Sequence, residues 1–357
     1  MEWIVLMRTS VRNPVVEEDL RVVFSGGLPW ERLSGKTVVV TGAAGLIASY
    51  LIEVLLYRNE VVAGAPCTVV ALVRDKEAAE RRFAHHKSRP DLRFLVQDVA
   101  APMPPDLRTD FVIHAAGNAT PRSFGVDPVG TYKAAVLGTH QLLEHAYQAG
   151  CEAFLLLSSG AVHGVVAGDD TVITERVMGT VDPLDPYACY AESKRMAETM
   201  CASWARQFAV PTRMARLGHT YGPGLRREDD RAFAQFVYAI VDRRDIVLHS
   251  DGSAVRAYCY LSDAADALFR ILLMGGDGEA YLVAHAAASC SIRELATLLV
   301  ELFPERGIQF KRASGLAGSV ANKDPIRPLN TSKLFSLGWS PQVDIASGFH
   351  RTIQSLL

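Results

Sequence analysis

Cysteine is scarce in this 357-residue chain: six residues, at 67, 151, 189, 201, 259 and 290, with no Cys-x-x-Cys pair among them. Thiols scattered this way exclude a disulfide framework and a cysteine-built zinc site, and they fit a reducing cytosol. No metal centre and a cytoplasmic location are therefore expected. An excess of one charge is also lacking, since 37 basic residues face 39 acidic ones and leave a formal net charge of −2. Such a chain has no global field to draw it to nucleic acid or to an anionic membrane. No apolar run reaches the roughly eighteen residues of a transmembrane helix, so no membrane span is expected. Residues 1–8 are apolar but few, and Glu2 stands where a secretory leader needs a base, so no leader is expected either. Repeats and low-complexity tracts are absent.

The apolar content, 49%, is enough for a sizeable core. The length suits one large α/β domain with a lobe, or two domains. Residues 14–24 read as a short helix closed by Gly26-Gly27 and packed on the body of the protein. Residues 36–41, Lys-Thr-Val-Val-Val-Thr, then form a β-branched run that reads as a buried strand. Gly42-Ala-Ala-Gly45-Leu46-Ile47-Ala48 follows, and 49–58 reads as an apolar helix. Strand, glycine turn and helix are the context of a dinucleotide-binding fingerprint. Gly42 permits the tight turn, Gly45 lets the backbone approach a pyrophosphate, and the helix start offers amides and partial positive charge.

Further strands are read at 67–73, 93–96, 110–114, 154–157 and 212–217, with a long helix at 129–147 and another opening at Tyr190. Strands alternating with helices in this way predict a doubly wound parallel sheet of Rossmann type. Its βα turns all open on one edge, which brings Gly42, Asp98, Ala115, Ala116, Gly117 and Ser159 together. The second strand ends in Arg74-Asp75. An acid there would hold an NAD ribose, while Arg74 would accommodate an NADP phosphate. His114 reads as a structural histidine at a strand end. After residue 217 the pattern changes. Residues 225–231 read as an exposed charged stretch, and Asp251-Gly252-Ser253 between two possible strands reads as a hairpin turn. The organisation expected is an N-terminal extension (1–35), a dinucleotide-binding domain (36–218, with 256–283 returning to it), and a smaller substrate-binding lobe (219–255 and 284–357).

The chemistry-bearing stretch is Leu-Leu-Leu-Ser158-Ser159-Gly160 taken together with Tyr190-Ala-Glu-Ser-Lys194. In a helix Tyr190 and Lys194 lie on one face, a turn apart. An ammonium there lowers the phenol's proton affinity, and a nearby hydroxyl holds a substrate oxygen. Such a trio moves a proton on a carbinol, which suits redox chemistry beside a nicotinamide.

In order and spacing these motifs resemble the extended short-chain dehydrogenase/reductase family, the nucleotide-sugar epimerases and dehydratases. The resemblance covers about 36–351. It adds Gly138-Thr139, Val162 with Gly164, Tyr221-Gly-Pro-Gly224, Asp251-Gly-Ser-Ala-Val-Arg256, Ser332-Lys333 and Leu337-Gly-Trp339 to the motifs above. It implies that Tyr190 is the proton-transfer residue and that Lys194 lowers its pKa and holds the nicotinamide ribose. It makes Ser159 the group bonded to the reacting sugar oxygen. It places Asp98 and Val99 beside the adenine, and Arg256 on the nucleotide diphosphate, with Arg327 as a second such arginine and His219 as a substrate contact. It implies NAD, with NADP possible, a nucleotide-sugar substrate, and a homodimer built from helices at 129–147 and 188–208.

Departures narrow the reading. Family members that eliminate water or decarboxylate place acids where this chain has Gly160 and Ala161. His163 replaces the usual tyrosine, Ala135 an asparagine, His219 another asparagine and Ala257 an acid. The expectation is a 4-epimerase acting through transient oxidation at C4 to a 4-keto sugar. An NADPH-dependent 4-ketoreductase, a decarboxylase or dehydratase with a relocated acid, and a non-catalytic dinucleotide sensor or scaffold are the alternatives.

Overall fold

The computed structural model describes residues 12–168, 172–185, 187–312 and 327–357. Residues 1–8, Pro186 of the loop before Tyr190, and 324–326 before Arg327 lie outside the described residues. No described helix is long and apolar enough to cross a membrane.

Seven strands form one parallel sheet. They are β1 (Thr37–Thr41), β2 (Thr68–Val73), β3 (Leu92–Val96), β4 (Phe111–His114), β5 (Ala153–Ser159), β6 (Thr212–Leu217) and, from late in the chain, β10 (Glu279–Val283). Their spatial order is β10-β6-β5-β4-β1-β2-β3. Strand order reverses between β1 and β4, whose register pairs Thr41 with His114. A parallel sheet buries both faces, so its strands run apolar throughout, and all five residues of β1 are buried. Val38 and Val40 face one layer, and Val39 faces the other.

The first layer holds α1 (Pro14–Ser25), α2 (Leu46–Val61) and, late in the chain, Leu261–Met274. A short α3 (Lys76–Arg82) follows β2, and α4 (Pro121–Val126) and α5 (Pro128–Tyr132) follow β4. The second layer holds α6 (Gly138–Ala149) and α7 (Ala188–Phe208). The long helix expected at 129–147 is therefore segmented. Pro128 sets one start, and a π-helical turn at Lys133–Leu137 joins α5 to α6.

The lobe has its own small sheets. Strand β7 (His219–Tyr221) runs parallel to β9 (Val255–Tyr260), and β11 (Ser289–Ser291) runs antiparallel to β9. Strand β8 (Ile246–Leu248) pairs with β12 (Phe310–Arg312). The hairpin expected around 251–253 does not form, because β8 and β9 have different partners. Asp251 instead closes a local turn on the Ser253 amide at 3.0 Å, and the Gly252 carbonyl accepts from the Arg293 amide at 3.0 Å. The stretch 256–283 divides: β9 stays with the lobe, while Leu261–Met274 and β10 return to the large sheet. Helices α8 (Ala232–Val241), α9 (Leu261–Met274), α10 (Ile292–Leu302) and α11 (Ile345–Gln354) complete the chain. The lobe's core is aromatic, with Tyr221 stacked on Phe349 at 3.9 Å.

Helix α1 does more than pack on the body. Leu20 and Val23 enter the core under the sheet, and Phe24 stacks on Trp30 at 4.4 Å. Its buried Asp19 accepts from the Tyr260 hydroxyl at 2.7 Å and from Arg351 Nε at 2.9 Å. Burial pushes the Asp19 carboxyl up to about 6, against the opposing pull of those two partners.

Candidate active site

The site gathers at the carboxyl ends of β1, β4, β5 and β6. Gly42 leaves β1 with φ +63°, and a Cβ there would lie 2.7 Å from the Ala116 Cα. Only glycine lets this turn pass against the end of β4. Gly45 is the N-cap of α2 and has no side-chain bond to the helix. The first amides of α2, at Leu46 and Ile47, have no intrahelical acceptor and face the turn as an anion site. Thr41 Oγ1 accepts from the Ala115 and Ala116 amides at 3.2 and 3.1 Å. It also shares a hydrogen bond with His114 Nδ1, 2.8 Å away. Burial, with the Lys194 charge adding to it, holds His114 down to about 3, so it is neutral here. This turn fits a dinucleotide pyrophosphate. Gly42→Ala is expected to weaken NAD binding about tenfold or more, because a left-handed φ and a backbone collision together exceed 1.4 kcal/mol. Titration of NAD against the folded variant checks this, and unchanged affinity would sink it.

Other cofactor candidates surround the turn. Asp98, exposed after β3, accepts from the Ala100 amide at 2.8 Å, and Val99 packs beneath it against Gly138. Arg74 is exposed after β2, and Asp75 caps α3 through the Ala78 amide at 2.9 Å. The acid at this position is therefore engaged with a helix start. Gly117 lies near Lys194, since a Cβ on it would sit 3.9 Å from Nζ.

Ser159 ends β5, and Tyr190 opens α7 within hydrogen-bonding reach of it. Lys194 is buried one turn further on, as its spacing predicts. Its ammonium is turned to the Leu157 carbonyl at 2.7 Å. The expectation that Lys194 lowers the phenol's pKa does not hold in this arrangement. Burial raises Tyr190, and the opposing influences come from Ser159 and the Arg231 guanidinium. Lys194 itself is pushed down to about 8 by burial, with the Glu198 carboxylate resisting.

Several participants escaped the sequence reading. Phe124 of α4 stacks on Tyr190 with ring centroids 4.4 Å apart. Arg231 belongs to the stretch read as exposed, yet Leu225 and Asp229 there are buried, and Arg226 donates to the Ala44 carbonyl in the cofactor turn. Below the trio, Glu198 accepts from Ser158 Oγ at 2.5 Å and from Arg216 Nη2 at 2.7 Å. Position 198 is four residues from Lys194 on the same helix, and that spacing was the available signal.

The three substrate candidates meet. His219, Arg256 and Arg327 line one cavity of about 300 Å³. A neighbouring cavity of about 180 Å³, lined by Gly160, His163, Arg216 and Arg327, extends it toward Ser159. Burial and the charges of Arg256 and Arg231 hold His219 down to about 4, so it is neutral here. Arg327 Nη2 donates to the Val166 carbonyl, while its Nε is buried without a partner among the described residues. An unpaired buried guanidinium N–H fits an acceptor oxygen from a ligand.

Comparisons with known proteins agree with this geometry. The model of the NAD-dependent epimerase/dehydratase family matches residues 38–284. The chain is 30% identical over 342 residues to UDP-glucuronic acid decarboxylase 2 of Arabidopsis thaliana, covering 94% of this chain and 72% of that one. It is likewise 30% identical over 324 residues to UDP-glucuronic acid decarboxylase 1 of Xenopus tropicalis, covering 89% and 71%. The fold is shared with a UDP-glucuronic acid 4-epimerase from Bacillus cereus solved with UDP-glucuronic acid and NAD, at TM-score 0.74 and 21% identity over 90% of this chain and 98% of that one. With a parallel sheet, a glycine turn and a Ser–Tyr–Lys trio at its open edge, the chain belongs to the NAD-dependent epimerase/dehydratase family.

Proposed function

We propose that the protein is a nucleotide-sugar 4-epimerase. The observation that carries this is an intact Ser159, Tyr190 and Lys194 beside Gly160 and Ala161, so that the trio has no adjacent carboxylic acid. The nearest buried carboxylate on α7, Glu198, is occupied by Arg216 and Ser158. Epimerisation needs only one proton carrier, whereas elimination needs a second.

NAD, when bound, supplies a reversible hydride acceptor; Gly42, Gly45, Leu46 and Ile47 would hold its pyrophosphate. Arg74, Asp98, Val99 and Ala115–Gly117 would line the rest of its path. The Tyr190 phenolate takes the proton of the sugar 4-hydroxyl, and Ser159 donates to the same oxygen. The resulting 4-keto sugar turns in the cleft, and the phenol returns the proton after reduction on the other face. Arg256 and Arg327 hold the diphosphate, and His219, a neutral donor or acceptor, contacts the nucleotide or sugar. A second copy of the chain covers the exposed apolar side chains Val129, Tyr132, Leu137, Met196 and Phe208 on α5–α7.

The relatives named above favour a second reading, decarboxylation of a sugar uronate. It shares the first step: a 4-keto group lies β to the C6 carboxylate, accepts the electron pair as CO2 leaves, and C5 is then protonated. Incubation with NAD and UDP-glucuronic acid or neutral UDP-hexoses, followed by proton NMR, separates the two. Inversion at C4 with carbon retained is the expected result. CO2 release with a pentose product replaces it by the second reading, and no change in any sugar sinks both.

A further inference from the structure

A cluster remote from the Ser–Tyr–Lys trio is used by none of this chemistry. Glu53 lies in the third turn of α2 among the buried side chains Ile52, Val54 and Leu56. His85 and His86, adjacent in a turn after α3, both aim Nε2 at its carboxylate. His85 Nε2 is 2.7 Å from Oε1, and His86 Nε2 is 2.9 Å from Oε2. The three potential ligand atoms lie within 4.8 Å of one another. Arg12 Nε donates to Glu53 Oε2 at 3.1 Å and binds Glu17 and Glu60 with its other nitrogens.

We propose that Glu53, His85 and His86 form a site for a divalent transition-metal ion of the zinc type. Two imidazoles with one carboxylate suit zinc, cobalt or nickel, whereas magnesium and calcium prefer all-oxygen shells. Three converging protein ligands leave a fourth position for water, which enters past His85, the less buried of the two histidines. Metal–ligand bonds of about 2.0–2.2 Å ask the three donors to spread by roughly 0.5 Å from their present hydrogen bonds, which small side-chain rotations supply. Each ring gives up its Nε2 proton, to its own Nδ1 where that is bare or otherwise to solvent, and no electrons move. Glu53 then binds through Oε1, while Arg12 keeps Oε2 as an outer-shell partner that fixes the carboxylate's orientation. Two guanidinium charges face the site, Arg12 and, more distantly, Arg82. Arg12 is already offset by Glu17 and Glu60. An ion here fastens the helix after the cofactor turn to the segment that leads into β3.

The test uses full-length, tag-free protein stripped with chelator. Calorimetric titration with Zn2+ should show about one equivalent bound per chain, and Co2+ should show a ligand-field spectrum of nitrogen and oxygen donors. His85→Ala should weaken binding at least tenfold while leaving NAD affinity and circular dichroism unchanged. Should that variant fold poorly, Zn2+ must instead protect His85 and His86 of the native protein from diethyl pyrocarbonate, read by mass spectrometry. Absence of binding, binding equal in His85→Ala, unprotected histidines, or a thiolate–cobalt charge-transfer band (metal on Cys189 or Cys290) overturns the proposal.

Discussion

Tyr190→Phe is expected to lower kcat by about a thousandfold or more while NAD binds with native affinity. General acid–base groups contribute roughly 10²–10⁴-fold, and in the proposed mechanism one phenol carries the proton in both directions. The ring itself remains, still stacked on Phe124, so geometry around the trio is kept. Retention of activity within tenfold of native would remove Tyr190 from the mechanism. The pH dependence follows from the same environment. Burial raises the phenol, so the reactive phenolate is lost as pH falls and the rate climbs as pH rises. Lys194→Met should leave that rising limb in place, because the ammonium is engaged by the Leu157 carbonyl; a limb moved to higher pH would show instead that Lys194 favours the phenolate.

Arg216→Met should destabilise the fold by about 3–5 kcal/mol, the cost of leaving a buried carboxylate without its partner. Glu198 is less than a tenth exposed, as is Arg216, and the pair shares several contacts between 2.7 and 3.2 Å. Arg216 also ties the Glu175 carbonyl at 2.7 Å, which anchors the segment beside the smaller cavity. Replacing both residues, Arg216→Met with Glu198→Leu, removes the stranded charge and should recover much of the loss. Denaturant unfolding of the three proteins decides the matter. A single variant as stable as native, or a double variant no better than the single, contradicts the account.

The large sheet was legible because its signals are local. A β-branched run such as 37–41, a glycine turn and an apolar helix each announce themselves within a few residues, and Tyr190 with Lys194 needs only helical spacing. The lobe was less legible because its pairings are remote. Strand β8 joins β12 across some sixty residues, and nothing at 251–253 distinguishes a closed Asx turn from a hairpin. At 225–231 the expectation holds in part: Arg226, Arg227 and Glu228 are exposed, whereas Leu225 and Asp229 are buried. What charge alone could not show is that Arg226, though exposed, and the half-buried Arg231 find partners in the Ala44 carbonyl and Asp229. The direction of the Lys194 ammonium was likewise invisible, since spacing puts it on Tyr190's face and only the β5 carbonyl turns it inward.

Helix α1 has a mechanical consequence. Its Asp19 bonds both to Tyr260, at the end of β9, and to Arg351 in the final helix, while its apolar face lies in the core under the sheet. Near its start, Asn13 Nδ2 donates to the Ser355 carbonyl at 3.0 Å, so the beginning and end of the described chain meet. A hinge rotation that swung the lobe away from the sheet would have to expose this buried carboxyl and separate Asn13 from Ser355. Beside the trio, the segment 118–127 with Phe124 and the segment 225–231 with Arg231 are coupled by the Arg122 amide, which donates to Asp230 at 2.9 Å. Sheet and lobe are fastened into one frame through the single buried carboxyl of Asp19.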